Sequence, residues 1–370
     1  MKKLLYIVLS TSVFFITSCK RKTTEPTVNN IKSTLVKYAK GFEIKKSKDI
    51  ITLIVKNPYQ NANKPISYTF SKTNKSQVKI PVQKLVATST THIPMLELLG
   101  EESKLVGFPH TKYVSSKNTR QLIDQGKIVE IGQEAELNTE VLFDLQPNVV
   151  LAFSMQKTNK SLSLIEKNGI PVILNGDWLE ETPLGRAEWI KVFGILFDKE
   201  KEADSIFSII ESNYLDAKNI ALKAIDEPSI LSGAVMQKDI WNLPAGDSFV
   251  AKYLKDANTN YLWKNTTGKG SLSLSFESVL DKGQQADIWI APGYFNTKEQ
   301  LLQSNELYKQ FDAFKNDKIY TPNLKTGATG GVIYYELGPT RPDLVLKDII
   351  KIAHPDLLKE YEMTFFEKMK

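Results

Sequence analysis

The chain of 370 residues is 42% hydrophobic and 24% charged, values typical of a globular protein, so no large disordered region is expected. Its length is sufficient for two domains, each with its own core. The formal net charge of +6 is spread thinly, and no basic run carries the interleaved aromatic residues of a nucleic-acid-binding surface, so we expect no nucleic-acid partner.

The amino terminus has the pattern of an export signal. Two lysines precede the apolar run 4–16, which is shorter than the roughly 20 residues of a membrane-spanning helix. The run ends in Ile-Thr-Ser-Cys, which resembles a bacterial lipobox, and Cys19 is the only cysteine in the chain. We predict a lipoprotein signal peptide over 1–18, lipidation of Cys19 and a polar tether over 19–33. We expect the protein in the periplasm, contacting the cell-envelope membrane through its lipid only.

Short apolar runs then alternate with helical patterns. Ile50–Val55 and residues 66–70 are predicted to form a β-hairpin. Beyond it, unalternating apolar runs are separated by helices of about ten residues, which is typical of a parallel sheet covered on both faces. The same pattern returns in the last third of the chain, where a final helix is predicted over 357–369. We therefore predict an α/β fold with two lobes, 34–181 and 228–370, whose sheets are mainly parallel.

Residues 182–227 lie between these two lobes and have a helical pattern. Thr182 followed by proline is a helix start, with the hydroxyl as N-cap. Asp198 offers a second N-cap, and the apolar residues that follow recur at steps of three and four. One helix over 198–224 would be about 40 Å long at 1.5 Å per residue. We interpret it as a stiff connector between the lobes; the alternative is an ordinary surface helix of one large domain.

Ligands of parallel sheets bind in the loops that follow the carboxyl ends of the strands. Aromatic side chains on such loops suit a large ligand with flat or apolar surfaces, although they can equally pack between the lobes. The candidate ligand contacts are Thr91, His92, Trp178, Trp241, Tyr294 and Arg341. Arg341 is a candidate chiefly for a ligand that carries carboxylates or catecholates.

Five segments, taken in their order and spacing, resemble one family. They are Thr88-Ser89-Thr90-Thr91-His92, Asn138-Thr139-Glu140-Val141-Leu142, Pro183-Leu184-Gly185-Arg186-Ala187-Glu188-Trp189, Ser275-Phe276-Glu277-Ser278-Val279-Leu280 and Arg341-Pro342-Asp343-Leu344-Val345. Together they resemble the helical-backbone periplasmic binding proteins, receptors that feed ABC importers for siderophore-bound iron, haem and cobalamin. The third and fifth segments resemble the Bacteroidetes branch. After the second segment, residues 145–150 resemble the family's Leu-Lys-Pro-Asp-Leu-Val, but Gln146 and Asn148 replace the common Lys and Asp.

The resemblance implies a class III binding protein, in which a long rigid helix joins two α/β lobes. It implies a monomeric receptor, without a cofactor, that captures a metal chelate and delivers it to an ABC permease dimer. Glu140 and Glu277 each open a predicted helix, one per lobe, and family members use such a pair to dock arginines of the two permease subunits. Carboxylate–guanidinium contacts are charge-assisted and fix orientation. The helix dipole alone also favours first-turn glutamates, so that alternative stays open.

The sequence offers little for an enzyme. It has three histidines, His92, His110 and His354, and no Gly-x-Ser-x-Gly elbow or phosphate-binding loop. It also lacks an apparent His, Asp and Glu cluster for a bare metal ion, which favours an intact chelate as ligand. We therefore predict a receptor that is not an enzyme, with siderophore–iron weakly favoured and haem or cobalamin open. A chelatase-like or hydrolytic lipoprotein and an adhesive lipoprotein remain the alternatives.

Overall fold

The computed structural model describes residues 32–33, 36–73, 75–133, 136–157 and 159–370. The predicted signal peptide, Cys19 and nearly all of the predicted tether lie outside these residues. Within the described ranges, no helix combines the length and the apolar character needed to cross a membrane.

An amino-terminal sheet precedes the first parallel sheet. Its strands, in spatial order, are Lys32–Ser33, Phe42–Ser47, Ile50–Val55, Ile66–Ser71 and Val78–Lys79. The predicted hairpin is confirmed, because Ile50–Val55 pairs antiparallel with Ile66–Ser71. Phe42, Leu53 and Phe70 are buried and belong to the same core as the apolar residues of the first parallel sheet, so the two sheets share one lobe.

The first parallel sheet confirms the predicted alternation of strands and helices. Its strands, in spatial order, are Val172–Leu174, Val149–Ala152, Leu85–Ala87, Leu105–Phe108 and Val129–Glu130. Its helices are Ile93–Leu98, Lys117–Asp124, Thr139–Leu145 and Lys160–Lys167, with short turns of 3-10 helix at Thr90–His92, Glu102–Lys104, Thr111–Tyr113 and Asp177–Leu179, and a small ribbon of Gly132–Gln133 with Glu136–Leu137. Every residue of Leu85–Ala87 and Val149–Ala152 is buried, which explains why these runs do not alternate.

The carboxy lobe contains a second, mainly parallel sheet. Its strands, in spatial order, are Asn260–Tyr261, Ser229–Ser232, Ile288–Ile290, Ile319–Thr321 and Glu367–Lys368, and a separate antiparallel sheet holds Ala234–Gln237, Ile240–Pro244 and Ser271–Ser275. The helices of this lobe are Phe249–Asp256, Phe276–Gly283, Lys298–Ser304, Asp312–Lys315, Ile333–Leu337 and Pro342–Ala353, with turns of 3-10 helix at Glu306–Gln310 and Pro355–Leu358.

The predicted helix over 357–369 is wrong. After Pro355–Leu358 the chain turns, and Glu367–Lys368 pairs antiparallel with Ile319–Thr321 at the sheet edge. The cause is tertiary, because the Asp348 carboxylate accepts backbone N–H bonds from Thr364, Phe365 and Phe366 at 2.6–3.0 Å. Both phenylalanines are buried, so their burial decides against a helix in this segment.

The connector consists of three helices, Pro183–Ala187, Ile190–Phe197 and Glu200–Ala221. The Thr182 cap is confirmed, since its hydroxyl accepts the Gly185 N–H at 3.0 Å. The Asp198 cap is wrong, because Asp198 adopts a left-handed conformation (φ 58°) that ends the preceding helix.

The long helix Glu200–Ala221 belongs to both lobes. It has 22 residues, or about 33 Å at 1.5 Å per residue. Ala203, Phe207 and Ile210 lie in the amino-lobe core. The next three inward residues, Tyr214, Ala217 and Ala221, lie in the carboxy-lobe core. One apolar face is therefore shared between two cores, which gives the α/β architecture with a rigid connector predicted from the sequence.

The segment that follows the predicted tether is fixed on the connector by two carboxylates. Glu188 is fully buried and accepts the backbone N–H groups of Lys37, Tyr38 and Ala39 at 2.7–2.9 Å. Glu180 accepts those of Lys40 and Gly41, both at 2.8 Å, together with the indole N–H of Trp189. We call residues 37–41 the strap.

Aromatic side chains fill the carboxy-lobe core around Trp241. Its ring stacks on Trp289 at 5.3 Å and lies within 6.1 Å of Phe276, Tyr308 and Phe311. Its indole N–H donates to the Ser232 carbonyl at 2.9 Å, and the side chain is 0% exposed. The prediction of Trp241 as a ligand contact is therefore wrong for this conformation, because no surface of it is free for a ligand.

Replacing this indole should destabilise the protein. We expect Trp241→Ala to lower the free energy of unfolding by about 3–5 kcal/mol, because it leaves a large cavity in a packed core. Ile240→Ala is the matched control, since Ile240 is the neighbouring strand residue and is 46% exposed. Urea unfolding followed by circular dichroism measures both. Equal losses for the two variants would contradict the assignment of Trp241 to the core.

Candidate functional site

Segments that follow the parallel strands of the two lobes contact each other. Helix Ile333–Leu337 packs against the turn Thr90–His92 and helix Ile93–Leu98. The Thr329 hydroxyl donates to the Lys112 carbonyl at 2.7 Å. We define the interlobe site as the loops after the parallel strands: 88–92, 109–116, 153–157 and 175–182 in the amino lobe, with 233–237, 291–297 and 322–337 in the carboxy lobe.

Two of the cavities in the described part of the chain lie beside loops of the interlobe site. One has a volume of about 640 Å³ and is lined from both lobes, by Pro94, Glu97, Ser115, Arg120, Ile333 and Glu336 among others. The other, of about 830 Å³, lies between the amino-terminal sheet and the loop 153–157, with Tyr59, Tyr68 and Met155 in its wall. Both volumes lie in the range of small-molecule sites, roughly 300–1,000 Å³.

Large apolar side chains are exposed on these loops. Met155, Met236, Tyr294 and Tyr335 are 39–74% exposed. Trp178 is half-buried, with its ring 5.3 Å from Phe153. Exposed apolar groups concentrated at strand ends are typical of a binding surface.

A polar cluster lies between the lobes, formed by Thr91, Asp177 and Arg186. Asp177 is 2% exposed and its Oδ2 atom has no hydrogen-bond partner. Burial raises the pKa of Asp177, against the opposing effects of the Arg186 charge and a hydrogen bond from Thr91. The Arg186 guanidinium lies over the Phe249 ring, 4.7 Å from its centroid, and its buried Nε is without a partner. The sequence analysis singled out Thr91 but missed Asp177 and Arg186, because a sequence pattern does not show whether a charged side chain has a partner in the fold.

Two further predicted contacts, His92 and Arg341, each pack against or pair with another side chain. His92 is 0% exposed and packs on Phe193 with 5.9 Å between ring centroids. Burial lowers the pKa of His92 to about 3, so its ring is neutral; both ring nitrogens are buried without a hydrogen-bond partner, and its role as a ligand contact stays a prediction. Arg341 makes a bidentate pair with the buried Asp343, with N–O distances of 2.9 and 2.8 Å, so its charge is compensated.

A family model described as periplasmic binding protein matches residues 85–323, which is more than half of the chain. The chain belongs to this family. An uncharacterized lipoprotein of Methanocaldococcus jannaschii is 25% identical over 298 residues, 79% of this chain and 70% of that protein. Among the solved structures that share the fold, two bear on the function.

The first of these structures is a periplasmic haem-binding protein of Pseudomonas aeruginosa, with a TM-score of 0.59 and 18% identity over 78% of this chain and 98% of that one. The second is a periplasmic vitamin B12-binding protein of Vibrio cholerae, with a TM-score of 0.52 and 10% identity over 76% and 99%. The protein is thus a solute-binding protein of the ABC-transporter type with the class III fold, and its family implies an extracytoplasmic location.

The predicted docking glutamates of this binding protein are both exposed. Glu140 lies in the first turn of helix Thr139–Leu145, and Glu277 in the first turn of Phe276–Gly283. Asparagine and serine caps begin these helices, so a cap and a glutamate open one helix in each lobe. Both carboxylates are available to a partner, and their docking role stays a prediction. Among the described side chains, no three His, Cys, Asp or Glu groups converge as metal ligands.

Glu336, another residue that the sequence did not single out, connects the two lobes of the binding protein. Its carboxylate accepts the backbone N–H groups of Ser115 and Ser116 at 2.7 and 2.9 Å. Glu97 faces the same segment, accepting the Ser116 and Thr119 hydroxyls. Burial raises the pKa of Glu336 to about 7 against these N–H donors, and the Glu97 charge adds to the rise.

This contact should make stability depend on pH. The folded-state pKa lies above the ordinary value of 4.5, so the folded state binds the proton more tightly than the unfolded chain does. The stabilisation is complete below about pH 4.5 and is lost as the pH rises through about 7. Over this interval the free energy of unfolding of the wild type should fall by on the order of 3 kcal/mol relative to Glu336→Gln.

Urea unfolding at several pH values between 4.5 and 8 measures this difference in slope. Glu277→Gln is the control, because that carboxylate is exposed and should leave the slope as in the wild type. A Glu336→Gln variant with the wild-type slope would show that Glu336 does not titrate in this range.

Proposed function

We propose that this binding protein captures a metal chelate at the interlobe site and delivers it to the permease dimer of an ABC importer. A siderophore–iron complex is the first candidate, with haem and cobalamin as the others. Haem and vitamin B12, which the two related solved proteins bind, are both large metal chelates, and this supports the ligand class. The protein would act as a monomer and without enzymatic activity.

The observation that carries the proposal is the set of exposed apolar side chains at the strand ends. Met155, Met236, Tyr294 and Tyr335 are exposed although each could contribute to a core. Flat rings and thioethers adapt well to the faces of a large chelate. Thr91 and the half-buried Trp178 lie on loops of the same site.

We further propose that the protein is held on the cell envelope, facing the periplasm, by a lipid on Cys19. The lipobox-like sequence supports this, as does the description of the archaeal relative as a lipoprotein. The segments typical of the Bacteroidetes branch are compatible with such an anchor. An adhesive lipoprotein, or an enzyme on the same fold, remains the alternative to be tested by ligand binding.

Calorimetric titration of the soluble form that starts at Lys20 tests the ligand class. The probes are ferric siderophores, haemin and cyanocobalamin, with free ferric and zinc ions as controls. We expect one chelate to bind saturably. Trp178→Ala and Tyr294→Ala should each weaken it about tenfold, or about 1.4 kcal/mol, by removing a ring from the binding surface.

Ile209→Ala is the matched control for these variants, because Ile209 is 59% exposed but lies on the connector helix, outside the interlobe site. Failure of every chelate to bind would refute the proposal and favour an adhesive or enzymatic lipoprotein.

Charge reversal tests permease docking separately from ligand capture. Glu140→Arg and Glu277→Arg should abolish chelate uptake by cells in which the variant is the only copy, because each places a cation against a permease arginine. Affinity for the chelate should stay unchanged. Glu202→Arg is the control, an exposed first-turn glutamate of the connector helix that shares the helix-dipole environment. Normal uptake by both reversal variants would contradict the docking role.

A further inference from the structure

Arg186 differs from the other two arginines in the described part of the chain in having no carboxylate partner. The described ranges contain three arginines, of which Arg120 pairs with Asp124 at 3.0 Å and Arg341 pairs with Asp343 at 2.8 Å. Within those ranges, no acidic oxygen lies within 4.0 Å of the Arg186 guanidinium. Its contact is instead the Phe249 ring, and its Nε is buried without an acceptor.

Arg186 is placed between the two lobes. It belongs to helix Pro183–Ala187, which packs against the turn Asp177–Leu179 of the amino lobe and against helix Phe249–Asp256 of the carboxy lobe. The side chain keeps part of its surface exposed. Arg186 therefore stands between elements of the two lobes with part of its surface accessible.

The surroundings of Arg186 favour an anionic acceptor group. Asp343, the other acid nearby, is already compensated by Arg341. Asp177 makes no ion pair with the guanidinium within 4.0 Å, and burial raises the pKa of this carboxyl. Burial also raises the pKa of Tyr334 to about 12, so this neighbouring phenol stays neutral. A cation that is partly withdrawn from water and makes no ion pair can bind a carboxylate strongly, since the contact is charge-assisted and can be bidentate.

We propose that Arg186, with Thr91 beside it, is the subsite for a free carboxylate of the ligand, and that the ligand is therefore a carboxylate-bearing metal chelate. This inference rests on the proposed function and narrows it. It favours polycarboxylate iron chelates and haem, whose propionates are free carboxylates. It excludes as main ligand a chelate without a carboxylate, such as a simple hydroxamate siderophore or cobalamin.

Two pairs of probes isolate the carboxylate. Haemin and its dimethyl ester share the iron and the macrocycle and differ only in free carboxylates. Ferric citrate and ferrioxamine B are both iron chelates, and only the first carries carboxylates. We expect the wild type to bind the carboxylate member of at least one pair roughly 10- to 100-fold more tightly than its partner.

Variants at Arg186 test whether this residue makes the discrimination. Arg186→Met keeps the apolar packing on Phe249 but removes the charge, and should lose the preference together with roughly 10- to 100-fold in affinity for the carboxylate probe. Arg186→Lys keeps the charge and should retain part of the preference. Lys201→Met is the control, because it removes an exposed cation of the connector helix, outside the interlobe site, and should leave the preference intact. Thermal unfolding of each variant confirms that it is folded.

The outcomes separate this inference from the proposed function. Tight binding of cyanocobalamin or ferrioxamine B in preference to the carboxylate probes would overturn the inference and keep the metal-chelate receptor. If Arg186→Met kept the wild-type preference for the carboxylate probe, the inference would also be overturned, and the metal-chelate receptor would stand. Binding of no chelate by the folded wild type would overturn both.

Discussion

The buried carboxylates of the connector are the constraint on which the rest of the structure depends. A carboxylate without exposure to water is tolerated only when hydrogen bonds and a cation compensate it. Glu188 meets this condition through three backbone N–H groups of the strap and the Lys191 ammonium at 2.9 Å. These contacts join the strap to the connector. If the strap or Lys191 moved away, the buried Glu188 carboxylate would be left without full compensation. Because Tyr38 of the strap also packs against both lobe cores, this joint fixes the lobes relative to each other.

Such a joint restricts how the lobes can respond to a ligand. One apolar face of Glu200–Ala221 is divided between two cores, so a large rotation of one lobe would pull three buried side chains from their packing. Small adjustments between the lobes remain accessible, and the contacts that can adjust are polar. Glu336 on Ser115 and Ser116 is one of them, and it depends on a carboxyl that titrates near neutral pH. A rigid frame with a few adjustable polar contacts suits a receptor that reports ligand through small rearrangements.

The sequence predicted the parts of this architecture that depend on local pattern. The buried run Val149–Ala152 and the Thr182 cap are examples, because apolar continuity and a capping hydroxyl act over a few residues. The prediction of a helix over 357–369 failed, because the Asp348 carboxylate that binds the backbone N–H groups of this segment lies outside it in the sequence. Trp241 failed for a different reason. It lies in an antiparallel strand in which exposed and buried positions alternate, and position after a predicted strand does not show towards which face a side chain points.

Arg341 and Arg186 illustrate what a sequence leaves open at a site. Both stand near a helix start, both belong to segments that resemble the family, and both are followed within two residues by an acid. Arg341 forms a bidentate pair with Asp343, so its charge is compensated within the fold. The acid after Arg186 is Glu188, which accepts the backbone N–H groups of the strap, so the arginine has no acidic partner among the described residues. The buried Glu188 carboxylate must be compensated, and the strap that compensates it also fixes the lobes. Because Glu188 is engaged in this way, the Arg186 guanidinium is left for a ligand.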